Sequence, residues 1–328
     1  MCNDSSAAPA LSFVLASVES LETSLQFYTE VIGLESGPIT STTCELATDT
    51  VSARPVRTAL VGEAGTPVGR MLLVEFADRG TRIREPGDRL TRGCWNVNFY
   101  VDDIWASMRD LQRLGFEFWS EPETYVVGAT AGAATEVVFE GPDGIAINLV
   151  SPLGEEGTET ARTRSAAARH GKTRTGFTPV ATTGMCVVDA EAATSFYRVV
   201  LGMRVVIDEI FVRPESNRFL VLPPDAINRV VFLAGDHHLG KVALNEPRNF
   251  EVAERVAAAH SPNIGYLAQG FDVPSLGRVI STLTAMQIPF ERRAFPRVDG
   301  LDVKRCVQLR IPGSGAFAVL TDSGPDQK

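Results

Sequence analysis

The sequence predicts an α+β protein made of four βαβββ units in two modules, and three observations carry that prediction. The first is a repeat. Leu25-Gln26-Phe27-Tyr28 with Val31-Ile32-Gly33-Leu34 returns as Thr194-Ser195-Phe196-Tyr197 with Val200-Leu201-Gly202-Met203, so that Phe27 and Phe196 stand 169 residues apart, as do Gly33 and Gly202. The second is the polar stretch between the copies, residues 153–177, which is poor in large apolar side chains and reads as an exposed linker. The third is length: 328 residues is about twice the ~150-residue prior for one domain. Modules at 1–152 and 178–328 follow.

Within the first module, residues 11–18 form an apolar, strand-like run. Leu21, Leu25, Tyr28 and Ile32 then recur at three- and four-residue steps, the spacing of an amphipathic helix over 19–31, and Gly33 ends it. Residues 55–61 and 69–76 read as a hairpin around Gly62-Glu63-Ala64-Gly65. The order recurs with a strand at 94–101, a helix at 104–114 closed by Gly115, and strands at 136–140 and 145–150 around Gly141-Pro142-Asp143-Gly144. The second module repeats it: strand 180–188, helix 190–201, hairpin 230–244, strand 263–269, helix 275–286, and strands 306–311 and 316–320.

Composition narrows the function. Apolar residues at 44% and charged residues at 22% exclude a disordered chain, and a net charge of −9 argues against a nucleic-acid surface. Cys2, Cys44, Cys94, Cys186 and Cys306 are scattered and odd in number, so neither a disulfide framework nor a zinc cluster is expected. The N-terminal residues lack a basic, then apolar, signal pattern, and no apolar run is long enough to span a bilayer. A cytoplasmic protein that touches no membrane is the expectation. No Ser, His and Asp fall in a triad order, and no glycine loop precedes a helix to cradle phosphate.

The pieces Ser24-Leu25-Gln26-Phe27-Tyr28, Val101-Asp102-Asp103-Ile104, Gly141-Pro142-Asp143-Gly144 and Asp189 through Tyr197 resemble, in order, the vicinal oxygen chelate superfamily. That superfamily includes glyoxalase I, bleomycin-resistance proteins, fosfomycin-resistance enzymes and extradiol dioxygenases. The resemblance spans nearly the whole chain and implies paired units curled into half-open mixed β-barrels. It also implies a divalent metal on the inner strand faces, held by His and Glu. The corresponding positions here are Phe13, Leu73, Asn96 and Asn148 in the first module and Thr182, Ala243, Asn263 and Val319 in the second. None is a His or a carboxylate, so no metal and no other cofactor is expected. His170 in the linker, His237 and His238 at a hairpin tip, and His260 ahead of a strand read as surface or turn residues.

Strand alternation extends these positions, because residues two apart share a face. Asn96 shares one with Asn98 and Tyr100, opposite apolar Val97, Phe99 and Val101. Phe13 goes with Leu11 and Leu15, Leu73 with Met71 and Glu75, Thr182 with Gly184 and Cys186, and Asn263 with Gly265 and Leu267. Asn96 and Asn148 share a cavity with either Phe13 and Leu73 or Thr182 and Ala243, depending on how the units pair, and both pairings are open. Glu75, Tyr100 and Cys186 are the candidate acid, base or nucleophile; Phe13, Leu73, Asn96, Asn98, Asn148, Thr182 and Asn263 are the candidate ligand-binding residues.

Two functions fit this pattern. One is a metal-independent lyase, isomerase or cyclase acting on a small, largely apolar oxygenated molecule. The other is a non-catalytic protein that sequesters such a molecule, as bleomycin-resistance proteins do. A surrogate metal site of Glu75, Asn96 and Asn148 is a third reading. Four units in one chain suit a monomer or a homodimer.

Overall fold

The computed structural model describes residues 7–50 and 52–322; Cys2 lies outside them. The first unit comprises β1 (Leu11–Ser17), α1 (Leu21–Gln26), β2 (Glu35–Ser36), β3 (Thr40–Cys44), β4 (Arg54–Gly62) and β5 (Arg70–Phe76). The second comprises β6 (Gly93–Tyr100), α2 (Ile104–Arg113), β7 (Glu123–Gly128), β8 (Gly132–Glu140) and β9 (Ala146–Leu153), followed by a connecting helix, α3 (Glu159–His170). The third has β10 (Thr182–Cys186), α4 (Ala190–Ser195), β11 (Arg204–Phe211), α5 (Pro214–Arg218), β12 (Asn228–Ala234) and β13 (Lys241–Pro247). The fourth has β14 (Gly265–Asp272), α6 (Leu276–Ala285), β15 (Phe290–Ala294), β16 (Arg305–Arg310) and β17 (Phe317–Thr321).

Local chemistry explains where the helices begin and end. Ser20, Asp103, Asp189 and Ser275 each accept a backbone N–H of the first turn of α1, α2, α4 and α6. The repeat extends to fine structure: α1 and α4 both continue as π-helical turns, Phe27–Val31 and Phe196–Val200, that bury the Phe-Tyr pair. Gly33 and Gly202 follow at φ of 82° and 69°, a conformation that costs a residue with a Cβ.

The units pair in a nested order, the first with the fourth and the second with the third. β1 lies antiparallel to β14, joining the outer units in one nine-stranded sheet of order β15-β16-β17-β14-β1-β5-β4-β2, with β3 on β4. The inner units form four-stranded sheets, β6-β9-β8-β7 and β10-β13-β12-β11. These meet along β6 and β10, where Ala181 N donates to Asn98 O at 2.9 Å and Thr178 N to Tyr100 O at 3.2 Å. This decides the open pairing in favour of Asn96 and Asn148 with Thr182 and Ala243.

A continuous core unites all four units on the outer sheet faces, where Phe27, Tyr28, Phe99, Phe139, Phe196 and Tyr197 are buried. The interior of the outer pair is filled. Phe13 meets Phe295 edge-on, with ring centroids 5.8 Å apart, and lies so close to Gly270 that a Cβ there would come within 2.3 Å of the ring. Leu15, Leu72, Val74, Phe317 and Val319 pack around it.

The stretch 153–177 differs from the exposed linker expected of it. α3 occupies its middle, capped by Thr158, and buries Thr160, Ala161, Thr163, Ala166 and Ala167. Its buried face is built of Ala and Thr, too small to register as an apolar pattern. Gly132 and Gly154 admit it: a Cβ on either would fall within 2.4 Å of Thr160 Oγ1.

Candidate functional site

Between the second and third units the interior holds a narrow cavity that opens to solvent at its mouth. β6 contributes Asn98 and Tyr100, β7 Tyr125, β8 Glu136, β10 Thr182 and β13 Lys241, while Glu159 and Thr163 of α3 close one side. Apolar Val127, Val150, Ile207 and Phe232 line the rest.

Glu136 is the central titratable group. Tyr125 Oη donates to its Oε1 at 2.8 Å and Asn148 Nδ2 to its Oε2 at 2.5 Å. Burial pushes its carboxyl above the usual range, and those two hydrogen bonds only partly offset the shift. Tyr125 is fixed in turn by stacking on Phe219 at 5.4 Å, and burial raises its phenol far above the ordinary value. Nearby, Tyr100 Oη and Thr182 Oγ1 lie 3.1 Å apart, a pair of hydroxyls on the cavity wall. Lys241 is almost wholly buried; its Nζ donates to Glu159 Oε1 at 2.8 Å and Thr163 Oγ1 at 2.6 Å. Burial works to raise the Glu159 carboxyl, but Lys241 and Arg162 outweigh it and hold the group below its ordinary value.

The structure brings some of the expected residues together and separates others. Asn98, Tyr100 and Thr182 line the cavity, and Asn148 lies behind Glu136. Asn96 is buried deeper, donating to Asn98 Oδ1 at 2.7 Å. It reaches across β10 only because residue 184 is glycine: a Cβ there would lie 1.8 Å from Asn96 Oδ1. Cys186 is buried at that far end beside Arg92, and burial pushes its thiol up to about 12 although Arg92 pulls the other way. A thiol so shifted is no nucleophile near neutrality. Phe13 belongs to the filled interior of the outer units.

Three placements correct the expectation. Leu73 faces the helices, packing in the core that holds Tyr28 and Leu21, because Leu72 pairs with Leu15 in the register where Ala243 pairs with Gly184. That one-residue slip carries Glu75 with it. Its carboxylate accepts Leu21 N at the start of α1, at 3.1 Å, and pairs with Arg57; it caps a helix and faces no cavity. Asn263 precedes β14 and braces a loop, accepting Thr81 N at 3.1 Å and donating to Ala258 O at 2.9 Å. The surrogate metal set of Glu75, Asn96 and Asn148 is therefore not assembled.

Glu136, Tyr125, Lys241 and Glu159 were not singled out from sequence. For Glu136 the signal was present: Val137 and Phe139 are apolar partners of the helix layer, so Glu136 between them and Thr135 has the opposite, inner parity. Lys241 shares its face with Ala243 by the same rule.

Residues 10–149 match the family described as the Glyoxalase/Bleomycin resistance protein/Dioxygenase superfamily. The first module thus carries that superfamily's sequence pattern. Glyoxalase I from Zea mays is similar in fold across both modules, with a TM-score of 0.60 at 15% identity, covering 96% of this chain and 92% of that one. A putative dioxygenase from Bacillus subtilis has a TM-score of 0.56 at 11% identity, covering 98% and 86%. No relative of the chain is found among curated proteins.

The divalent metal that the superfamily implies does not fit the residues present. The paired inner units offer Asn96, Asn148, Thr182 and Ala243 at the corresponding positions, with Glu136 the carboxylate beside them. Among the described residues no three His, Cys, Asp or Glu side chains are grouped so as to hold a metal ion. Neutral amides and a lone carboxylate are poor donors for a divalent cation.

Proposed function

We propose that the cavity between the second and third units binds a small, largely apolar oxygenated molecule. Glu136 moves a proton on it, in a metal-independent reaction of the lyase, isomerase or cyclase type. One observation carries this reading: a carboxyl with an upward-shifted pKa on the cavity wall, held by two hydrogen-bond donors among apolar neighbours. A carboxylate so shifted is a stronger base than a solvated one and lies nearer the pKa suited to proton transfer at neutral pH. Tyr125 and Asn148 fix its orientation, and the Tyr100–Thr182 hydroxyl pair supplies donors for a ligand carbonyl or developing enolate oxygen. Of the residues singled out from sequence, Tyr100, Asn98 and Thr182 keep ligand-contact roles in this reading.

The test follows α-proton exchange from small enolisable ketones such as tetralones, in deuterated buffer, by proton NMR. Wild type is expected to accelerate exchange, and Glu136→Gln to lose roughly 10²–10⁴-fold of that acceleration. Undiminished exchange in Glu136→Gln would remove Glu136 as the base. Ketones that bind in the cavity without exchanging would favour sequestration instead.

A further inference from the structure

The cavity has a charged end that proton transfer at Glu136 does not use. Lys241 opens β13, and its side chain is 6% exposed. An ammonium so deep in a protein needs a counter-charge, because it has lost the hydration that would otherwise stabilise it. Here the counter-charge comes from Glu159, whose own helix α3 lies over the open side of the inner units.

Lys241 also borders a second, outer compartment lined by Arg162, Arg204, His237, His238 and, as its acids, Glu159 and Asp236. Lys241, Arg162 and Arg204 outnumber the two carboxylates there, in a chain whose net charge is −9, while the imidazoles, held below their ordinary value, add little charge near neutrality. The local field therefore favours entry of an anion against the sign of the whole molecule. Thr163 Oγ1 accepts from Lys241, which leaves its own hydroxyl proton available to a ligand oxygen. Thr182 is the register partner of Lys241 on the neighbouring strand, and its hydroxyl meets Tyr100. The ammonium and the hydroxyl pair thus belong to the same wall of one cavity.

We infer that the ligand is an acid, an apolar body bearing a carboxylate that docks on Lys241 in place of Glu159. Glu159 is then an internal stand-in that keeps Lys241 neutralised while the cavity is empty. The inference rests on the reading of this cavity as the binding site.

The experiment compares phenylbutyrate with its primary amide, titrated by saturation-transfer NMR into the full chain and into Glu159→Gln, Lys241→Met and Val150→Trp. Wild type is expected to bind the acid at least roughly tenfold more tightly than the amide, a difference of about 1.4 kcal/mol. Glu159→Gln, which removes the competing carboxylate, should tighten the acid several-fold and leave the amide unchanged. Lys241→Met should erase the preference; Glu159→Gln gives an independent answer should that variant fold poorly. Equal binding of acid and amide by wild type, both lost in Val150→Trp, would overturn the carboxylate anchor and leave the cavity as the binding site. No binding of either compound at millimolar concentration, or binding indifferent to Val150→Trp, would overturn both readings.

Discussion

At the scale of single residues, the inner units are organised around buried polar groups that need partners. Asn96 donates to Asn98 and Asn148 to Glu136, while Asn96 Oδ1 and Asn148 Oδ1 are buried without a protein partner, and a further lost partner leaves another buried group to bear its desolvation cost. Gly184 is the point where this arrangement is most exposed to change. Alanine there would drive its Cβ into Asn96, so Gly184→Ala is expected to cost about 1–3 kcal/mol and to break the Asn96–Asn98 bond. Chemical denaturation measures the loss, and an unchanged midpoint would mean that Asn96 does not reach over residue 184. The amide row was legible in sequence because Val97, Phe99 and Val101 marked the opposite face. Glu136 was equally legible by parity but sat in a strand read only for its turn. Glu159 was not legible, since a carboxylate in a polar stretch looks solvated until the helix is seen to fold back.

At the scale of elements, α3 changes the meaning of the segment that joins the two halves. Its C-terminal end places His170 against His237 of the β12–β13 turn, ring centroids 4.6 Å apart, with His238 at 6.0 Å. Arg169, Lys241 and Arg204 add positive charge around this contact, while Glu159 and Asp236 oppose it. Burial, chiefly, pushes the His237 and His238 imidazoles below their ordinary value of 6.5, with repulsion from His170 adding to it. A depressed imidazole pKa means that the unfolded chain binds the proton more readily than the folded one. Stability is therefore retained above pH 6.5 and lost as pH falls from there through the folded-state values. The melting temperature should decline on going from about pH 8 to about pH 5, and the double variant His237→Gln, His238→Gln should flatten that decline. Identical slopes in the two proteins would show that the histidine contact does not bias α3. The sequence placed these residues correctly as turn and surface groups, but their meeting depends on helix α3, which its small side chains concealed. The slip at Leu73 and Glu75 has a related origin: a strand apolar on both faces carries no alternation to pin its register.

At the scale of the whole molecule, the order of four βαβββ units was legible from the repeat, and their nested pairing was not. Local periodicity reports which face of a strand is apolar; it does not report that β1 will pair with β14, a partner more than two-thirds of the chain away. The consequence is that the halves at 1–152 and 178–328 each contribute one unit to each barrel. Cutting between them exposes β1 and β6 on one piece and β10 and β14 on the other, four strands with unpaired edges and apolar faces. Each piece made alone is therefore expected to aggregate or to pair with itself, whereas the two made together should assemble into one heterodimer of the full chain's size. Size-exclusion chromatography with amide NMR of the separate and co-expressed pieces distinguishes these outcomes. A well-dispersed, monomeric spectrum from residues 1–152 alone would mean that neighbouring units can close on each other. In that event the cavity holding Glu136 and Lys241 would depend on a pairing that the chain can exchange for another.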